Sequence, residues 1–160
     1  MNGAPINLMF LLVLLLAACS PKSEKPFFDK LELKTLDDRI LTVADLEGKP
    51  AFINFWATWC RPCLQEMPSI ENAKSILEKD GYHFIAVSNE DKDRIQGFLD
   101  RSNYTFEFAQ FAVGLEALNI YSLPTTYIVD GEGNLVYQHI GAEFWDSKEN
   151  LKILRSHLKN

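Results

Sequence analysis

Apolar and polar residues follow one another in blocks along this chain, and the period of each block predicts an element. The first block, MNGAPINLMFLLVLLLAA, carries no charged side chain, and its apolar stretch runs from Met9 to Ala18. About ten apolar residues are too few for a helix across a hydrocarbon core of about 30 Å, but they match the apolar region of a secretory signal. SPKSEKP, Ser20 to Pro26, is polar with a proline near each end and reads as a tether. LELKTL and RILTV alternate around Asp37-Asp38, which predicts an N-terminal β-hairpin, with Gly48-Lys49-Pro50 punctuating the loop after it.

AFINFWA, Ala51 to Ala57, is continuously apolar apart from Asn54, the mark of a strand covered on both faces. From Cys60 to about Lys79 the period becomes helical, with Leu64, Met67, Ile70, Ala73, Ile76 and Leu77 on one face. Pro68 falls inside that helix and predicts a kink, and Gly81 ends it. YHFIAVS then predicts a strand and NEDKDRIQGFLDRSN a helix with acidic residues in its first turn. TFEFAQF predicts a short strand and AVGLEALNI a short helix. TTYIVD and LVYQHI predict strands joined through GEGN, and SKENLKILRSHL a closing amphipathic helix on Leu151, Leu154 and Leu158. Strands alternating with helices, then a hairpin and a helix, give an α/β fold with a mixed sheet.

The 160 residues fit one domain. A net charge of −6 with no run of Lys or Arg disfavours a phosphate-backbone partner, so no nucleic acid is expected. Cysteine usage narrows the chemistry further. There are three, Cys19, Cys60 and Cys63. Cys19 ends LAAC, small residues ahead of a cysteine directly after the apolar block. This resembles the lipobox of bacterial lipoproteins, which implies lipidation of Cys19, cleavage before it and a durable hold on a membrane. The leader departs from that pattern in having no Lys or Arg. The expected organisation is a signal peptide over 1–18, a tether over 19–27 and one domain over 28–160, in a compartment that permits disulfides. Ser20 resembles the residue of lipoproteins sorted to an outer membrane.

WATWCRPC leaves Cys60 and Cys63 three uses. Structural zinc needs four N or S ligands, and His83, His139 and His157 are isolated, so no metal is expected. A structural staple closing so short a ring stabilises by about 2 kcal/mol, against about 3 for a fifteen-residue loop. The redox use fits the position. Cys60 falls where a strand gives way to a helix, and unpaired N–H groups and the helix dipole favour a thiolate there. Pro62 suits the first helical turn, and Cys63 lies one turn on as a resolving thiol.

FINFWATWCRPCLQEMP resembles the active-site segment of thioredoxin-fold proteins, most closely the extracytoplasmic thiol–disulfide oxidoreductases of the TlpA/ResA type. LPTTYIVDGEGNLV resembles the same family's second signature, a cis-proline loop followed by a strand and a hairpin. The resemblance implies a thioredoxin-like fold, Cys60 as attacking thiol and Cys63 as resolving thiol, joined in a redox-active disulfide with no other cofactor. It implies that Pro124, between Leu123 and Thr125, is the cis-proline of a substrate-binding loop. Trp59, Arg61 and Pro62 fall beside the nucleophile at the same substrate surface. Asn54 stands where thioredoxin has a buried proton-handling Asp. Glu66 matches a glutamate of the TlpA/ResA type and is expected to exchange protons with Cys63.

The implied partners are protein disulfides or thiols, with a membrane thiol donor returning electrons; an apocytochrome, a secreted disulfide protein and a general pool all stay open as the substrate. Oligomeric state is not legible. Three further readings stay open here: a disulfide oxidase or isomerase, a non-catalytic binding lipoprotein, and a thiol peroxidase, whose Thr-x-x-Cys element this chain lacks.

Overall fold

The computed structural model describes residues 25–158; the leader, Cys19 and the tether up to Glu24 lie outside the described residues. Among the described residues the helices are α1 (Phe27–Lys30), α2 (Arg61–Leu77), α3 (Lys92–Leu99) and α4 (Lys148–Ser156). The strands among these residues are β1 (Lys34–Thr35), β2 (Ala51–Phe55), β3 (His83–Ser88), β4 (Glu107–Gln110), β5 (Thr125–Val129) and β6 (Leu135–Ile140). They form one sheet in the order β1-β4-β3-β2-β5-β6. The β2–β3 and β3–β4 pairs are parallel, and β1–β4, β2–β5 and β5–β6 are antiparallel. This is the mixed α/β sheet expected, with the thioredoxin-like order of elements.

Every residue of β2 is buried because the sheet is covered on both faces. Phe52 points into a cluster built with Met67, Ile70 and Leu77 of α2, Ile95 of α3 and Leu154 of α4. Ala51, Ile53 and Phe55 point the other way, into a cluster with Phe28, Leu31, Leu33, Leu46, Phe111 and Ile120. The three longer helices thus share one face. The second face is closed by α1, the irregular segment after it and the segment that follows β4. Phe27, read as tether from composition, is the first residue of α1, and Phe28 beside it is fully buried.

The expected N-terminal hairpin shrinks to a turn. Asp38 takes φ 70°, Thr35 N donates to Arg39 O at 2.9 Å, and one bridge joins Lys34 to Ile40. On its other side β1 pairs with β4. The second arm never extends, because Asp45 Oδ2 accepts from both Thr42 N (2.7 Å) and Thr42 Oγ1 (2.8 Å) and starts a 3-10 turn at Val43–Leu46. Such side-chain capping competes locally with a strand ladder. The expected short helix after β4 is also a 3-10 turn, Leu115–Leu118. α2 runs continuously through Pro68, and Ile76, expected on its buried face, is 42% exposed.

Candidate active site

The site begins where β2 stops. Trp56 N still donates to Val87 O of β3 (3.0 Å), but Cys60 N turns back to Ala57 O (3.0 Å). Cys60 is the N-cap of α2, in extended backbone, and its Sγ accepts from Cys63 N at 3.3 Å. Pro62 sits in the first turn, where its missing N–H leaves no carbonyl unsatisfied. Cys60 and Cys63 are joined in a disulfide with Cα atoms 5.3 Å apart. Both are buried, Cys63 completely, while Trp59, Arg61 and Pro62 are exposed around them. Trp56 and Trp59 therefore part company. Trp56 is locked in the core against Phe98 and Phe108, and Trp59 stands in solvent.

The second segment arrives beside the first because of strand register. Thr125, first residue of β5, pairs with Phe55, last residue of β2, so the loop before β5 and the loop after β2 leave the same edge of the sheet. In that loop the Leu123–Pro124 peptide is cis. Pro124 O accepts from Gly141 N (2.9 Å), and Thr125 Oγ1 donates to Ser122 O (2.7 Å). Leu123 is half-buried; Pro124 and Thr125 are buried.

Behind the disulfide, Glu66 is 2% exposed. Its Oε1 accepts from Asn54 Nδ2 (2.8 Å), and its Oε2 from Glu143 N (3.0 Å) and Trp145 Nε1 (3.1 Å). Burial pushes the carboxyl above its ordinary pKa, and the donors from Glu143, Asn54 and Trp145 oppose that rise without cancelling it. Glu66 lies one helical turn after Cys63 on α2. A small cavity of about 130 Å³ lined by Gln65, Glu66, Ala142, Glu143 and Phe144 opens beside it. Among the described residues, no three His, Cys, Asp or Glu side chains gather where they could hold a metal ion.

Residues 26–138 match the AhpC/TSA family model. The chain belongs to that family. Among curated members, the thioredoxin-like protein YneN of Bacillus subtilis is 36% identical over 117 residues, 68% of this chain and 66% of that protein. The thiol-disulfide oxidoreductase ResA of Bacillus thuringiensis is 31% identical over 121 residues, 73% of this chain and 68% of that protein. The chain spans just under two thirds of the length of the first curated relatives it matches, 66% of YneN. Among solved structures, the exposed lipoprotein thioredoxin Etrx1 of Streptococcus pneumoniae superposes with a TM-score of 0.66 at 25% identity, over 78% of this chain and 97% of that one.

The AhpC/TSA match takes in both cysteines, Glu66 and the cis-proline loop but stops before two of the donors that hold Glu66, at 143 and 145. Sequence reasoning missed Trp145 and Glu143. Trp145 is 79 residues from its partner, and nothing local distinguishes it from any core tryptophan. Thr126, which accepts from Asn54 Nδ2 at 3.0 Å, lay hidden within an ordinary strand pattern. His139, isolated from other possible ligands in the sequence, stands 3.6 Å from Glu143 Oε1 and edge-on to Trp145.

Proposed function

We propose that this chain is a thiol–disulfide oxidoreductase that reduces protein disulfides outside the cytoplasm, held to a membrane through lipid on Cys19. The observation that carries the chemistry is the Cys60–Cys63 disulfide at the start of α2 with a buried, proton-seeking Glu66 one turn behind it. In the reduced pair, Cys63 N–H and the positive end of α2 stabilise a Cys60 thiolate. That thiolate attacks one sulfur of a substrate disulfide. The substrate S–S bond breaks, a Cys60–substrate mixed disulfide forms, and the departing substrate sulfur leaves as a thiolate that takes up a proton. Cys63 then gives its proton to Glu66 and attacks Cys60 Sγ. The internal disulfide closes, the second substrate sulfur departs, and two electrons have passed from the pair to the substrate. A membrane thiol donor restores the pair by the same exchange in reverse.

Polypeptide substrates suit the surroundings. Trp59 (71%), Tyr121 (80%), Ile140 (60%) and Phe144 (74%) are large apolar side chains left exposed on the segments that border the cysteine pair and the cis-proline loop. Leu123, Pro124 and Thr125 would offer backbone to an extended substrate strand, with Trp59, Arg61 and Pro62 bordering the nucleophile.

Reduction of insulin disulfides by the full chain tests the redox reading: Cys60→Ser should fall to background, and activity equal to the unsubstituted protein would end it. Cys63→Ala should accumulate mixed disulfides on Cys60, and their mass identifies the substrates. Cys19→Ser should move the protein from the membrane to the soluble fraction, and unchanged membrane retention would count against the anchor.

A further inference from the structure

Glu90 takes no part in the exchange chemistry, yet its carboxylate reaches the cysteine loop from the neighbouring strand. It lies just past the end of β3, next to β2 in the sheet. Oε2 accepts from Thr58 N at 2.6 Å and from Ser88 Oγ at 3.2 Å. Oε1 accepts from Thr58 Oγ1 at 2.8 Å, and Arg94 Nη1 stands 3.6 Å from it. The anchor is itself fixed: Glu90 N donates to Ser88 Oγ (3.2 Å), and Glu90 O accepts from Gln110 Nε2 of β4 (3.0 Å). The Glu90 side chain is only 10% exposed.

The held residue matters because of its neighbours. Thr58 stands between Ala57, whose carbonyl holds Cys60 N, and exposed Trp59. A carboxylate gripping both the N–H and the O–H of one residue fixes its backbone and its side chain together. With Trp56 packed in the core on one side and α2 starting on the other, Thr58 is where the loop is tied to β3 by a charged group. Without that tie the loop could drift, and Cys60 Sγ would lose its alignment with Cys63 N–H and the helix end.

We propose that Glu90 is a positioning residue for Cys60, holding Thr58 so that the attacking sulfur stays over the N-terminus of α2. This rests on Cys60 being the attacking thiol. The discriminating comparison is between Glu90→Ala, which removes the grip, and Glu90→Gln, whose amide can still meet the Thr58 N–H and hydroxyl without the charge.

The test is iodoacetamide alkylation of the reduced full chain across pH, with the modified cysteine identified by peptide mass. Glu90→Ala should slow Cys60 alkylation at neutral pH by about tenfold and move the midpoint of the pH profile upward, since one unit of thiol pKa is about a tenfold loss of thiolate. Glu90→Gln should stay within about threefold of the unsubstituted protein, because a neutral acceptor retains much of the hydrogen bonding. An unmoved Glu90→Ala profile would overturn the proposal. So would a downward shift shared by both variants, which would make Glu90 a mere source of charge. If Glu90→Ala loses its near-ultraviolet dichroism, Thr58→Val decides the matter: it should slow alkylation while remaining folded, and an unchanged rate and midpoint would overturn the proposal. Alkylation falling on Cys63 instead would refute the assignment of the attacking thiol, an outcome separate from any effect of Glu90.

Discussion

Two carboxylates brace the segments around the cysteine pair from opposite sides of β2, Glu66 through Asn54 and Glu90 through Thr58, and the protein treats them differently. Glu66 is tied towards β5, where Asn54 bridges it to Thr126, and its donors come from Asn54, Glu143 and Trp145. Glu90 arrives from the end of β3, on the other side; its donors are Thr58 and Ser88, and Arg94 forms an ion pair with it at 3.6 Å. Glu66 is almost fully buried and held by neutral donors, so desolvation dominates and its proton is held more tightly. Glu90 keeps an arginine beside it and spends its acceptors on the loop backbone. The two placements match the two proposed roles, proton exchange for Glu66 and holding the loop for Glu90.

The sharpest way to break this contrast is Glu66→Gln. The side-chain carbonyl of the variant can still accept from Glu143 N and Trp145 Nε1. Its amide can donate to Asn54 Oδ1, which has no partner as placed, once the Asn54 amide turns over. The fold should therefore survive while the proton acceptor is lost. Release of the mixed disulfide should slow by about 100-fold near neutral pH, the scale of one general base, read by stopped-flow mixing with a disulfide peptide. Stability should respond as well. Because the folded carboxyl holds its proton above the pH at which the unfolded one lets go, the folded state binds more protons across that interval. Stability then falls as pH rises from the ordinary carboxylate range to the raised value, and stays lower above it. Urea unfolding across that range should show this decline in the unsubstituted protein and a flatter profile in Glu66→Gln. Matching profiles would mean that Glu66 carries no shifted proton.

Trp145→Phe is the next test, because it removes one donor and keeps an aromatic ring. Losing a hydrogen bond to a charged group costs about 1.5–3 kcal/mol. With one opposing donor gone, the Glu66 pKa should rise further, moving the pH midpoint of mixed-disulfide release upward and slowing that step about threefold to tenfold. A midpoint that stays in place would show that the indole is packing alone.

These residues also mark where the sequence could be read and where it could not. Cys60, Cys63 and Glu66 lie within one helical start, so spacing alone places them on successive turns. The loop at Pro124 was legible because its neighbours form a contiguous signature. Trp145 and Glu90 were not, since each acts across a gap, 79 residues to Glu66 and 32 to Thr58, that only sheet order closes. The same holds for the N-terminal hairpin. Its alternation was visible, but the choice of β4 as partner and the grip of Asp45 on Thr42 are decided by neighbours and capping that periodicity does not encode.

The smallest expected effect sharpens the case for Glu90. Glu71 grips Thr105 in the same manner, Oε2 accepting from Thr105 N (2.8 Å) and Oε1 from Thr105 Oγ1 (2.5 Å). That pair is exposed, and Glu71 lies roughly two helical turns beyond Cys63. Glu71→Gln should change stability by no more than about 0.5 kcal/mol, as for most surface substitutions, and leave Cys60 alkylation unaltered. If it slowed alkylation as much as Glu90→Ala, the cause would be a general loosening of the fold. A carboxylate–threonine grip would then owe nothing to its place beside the nucleophile.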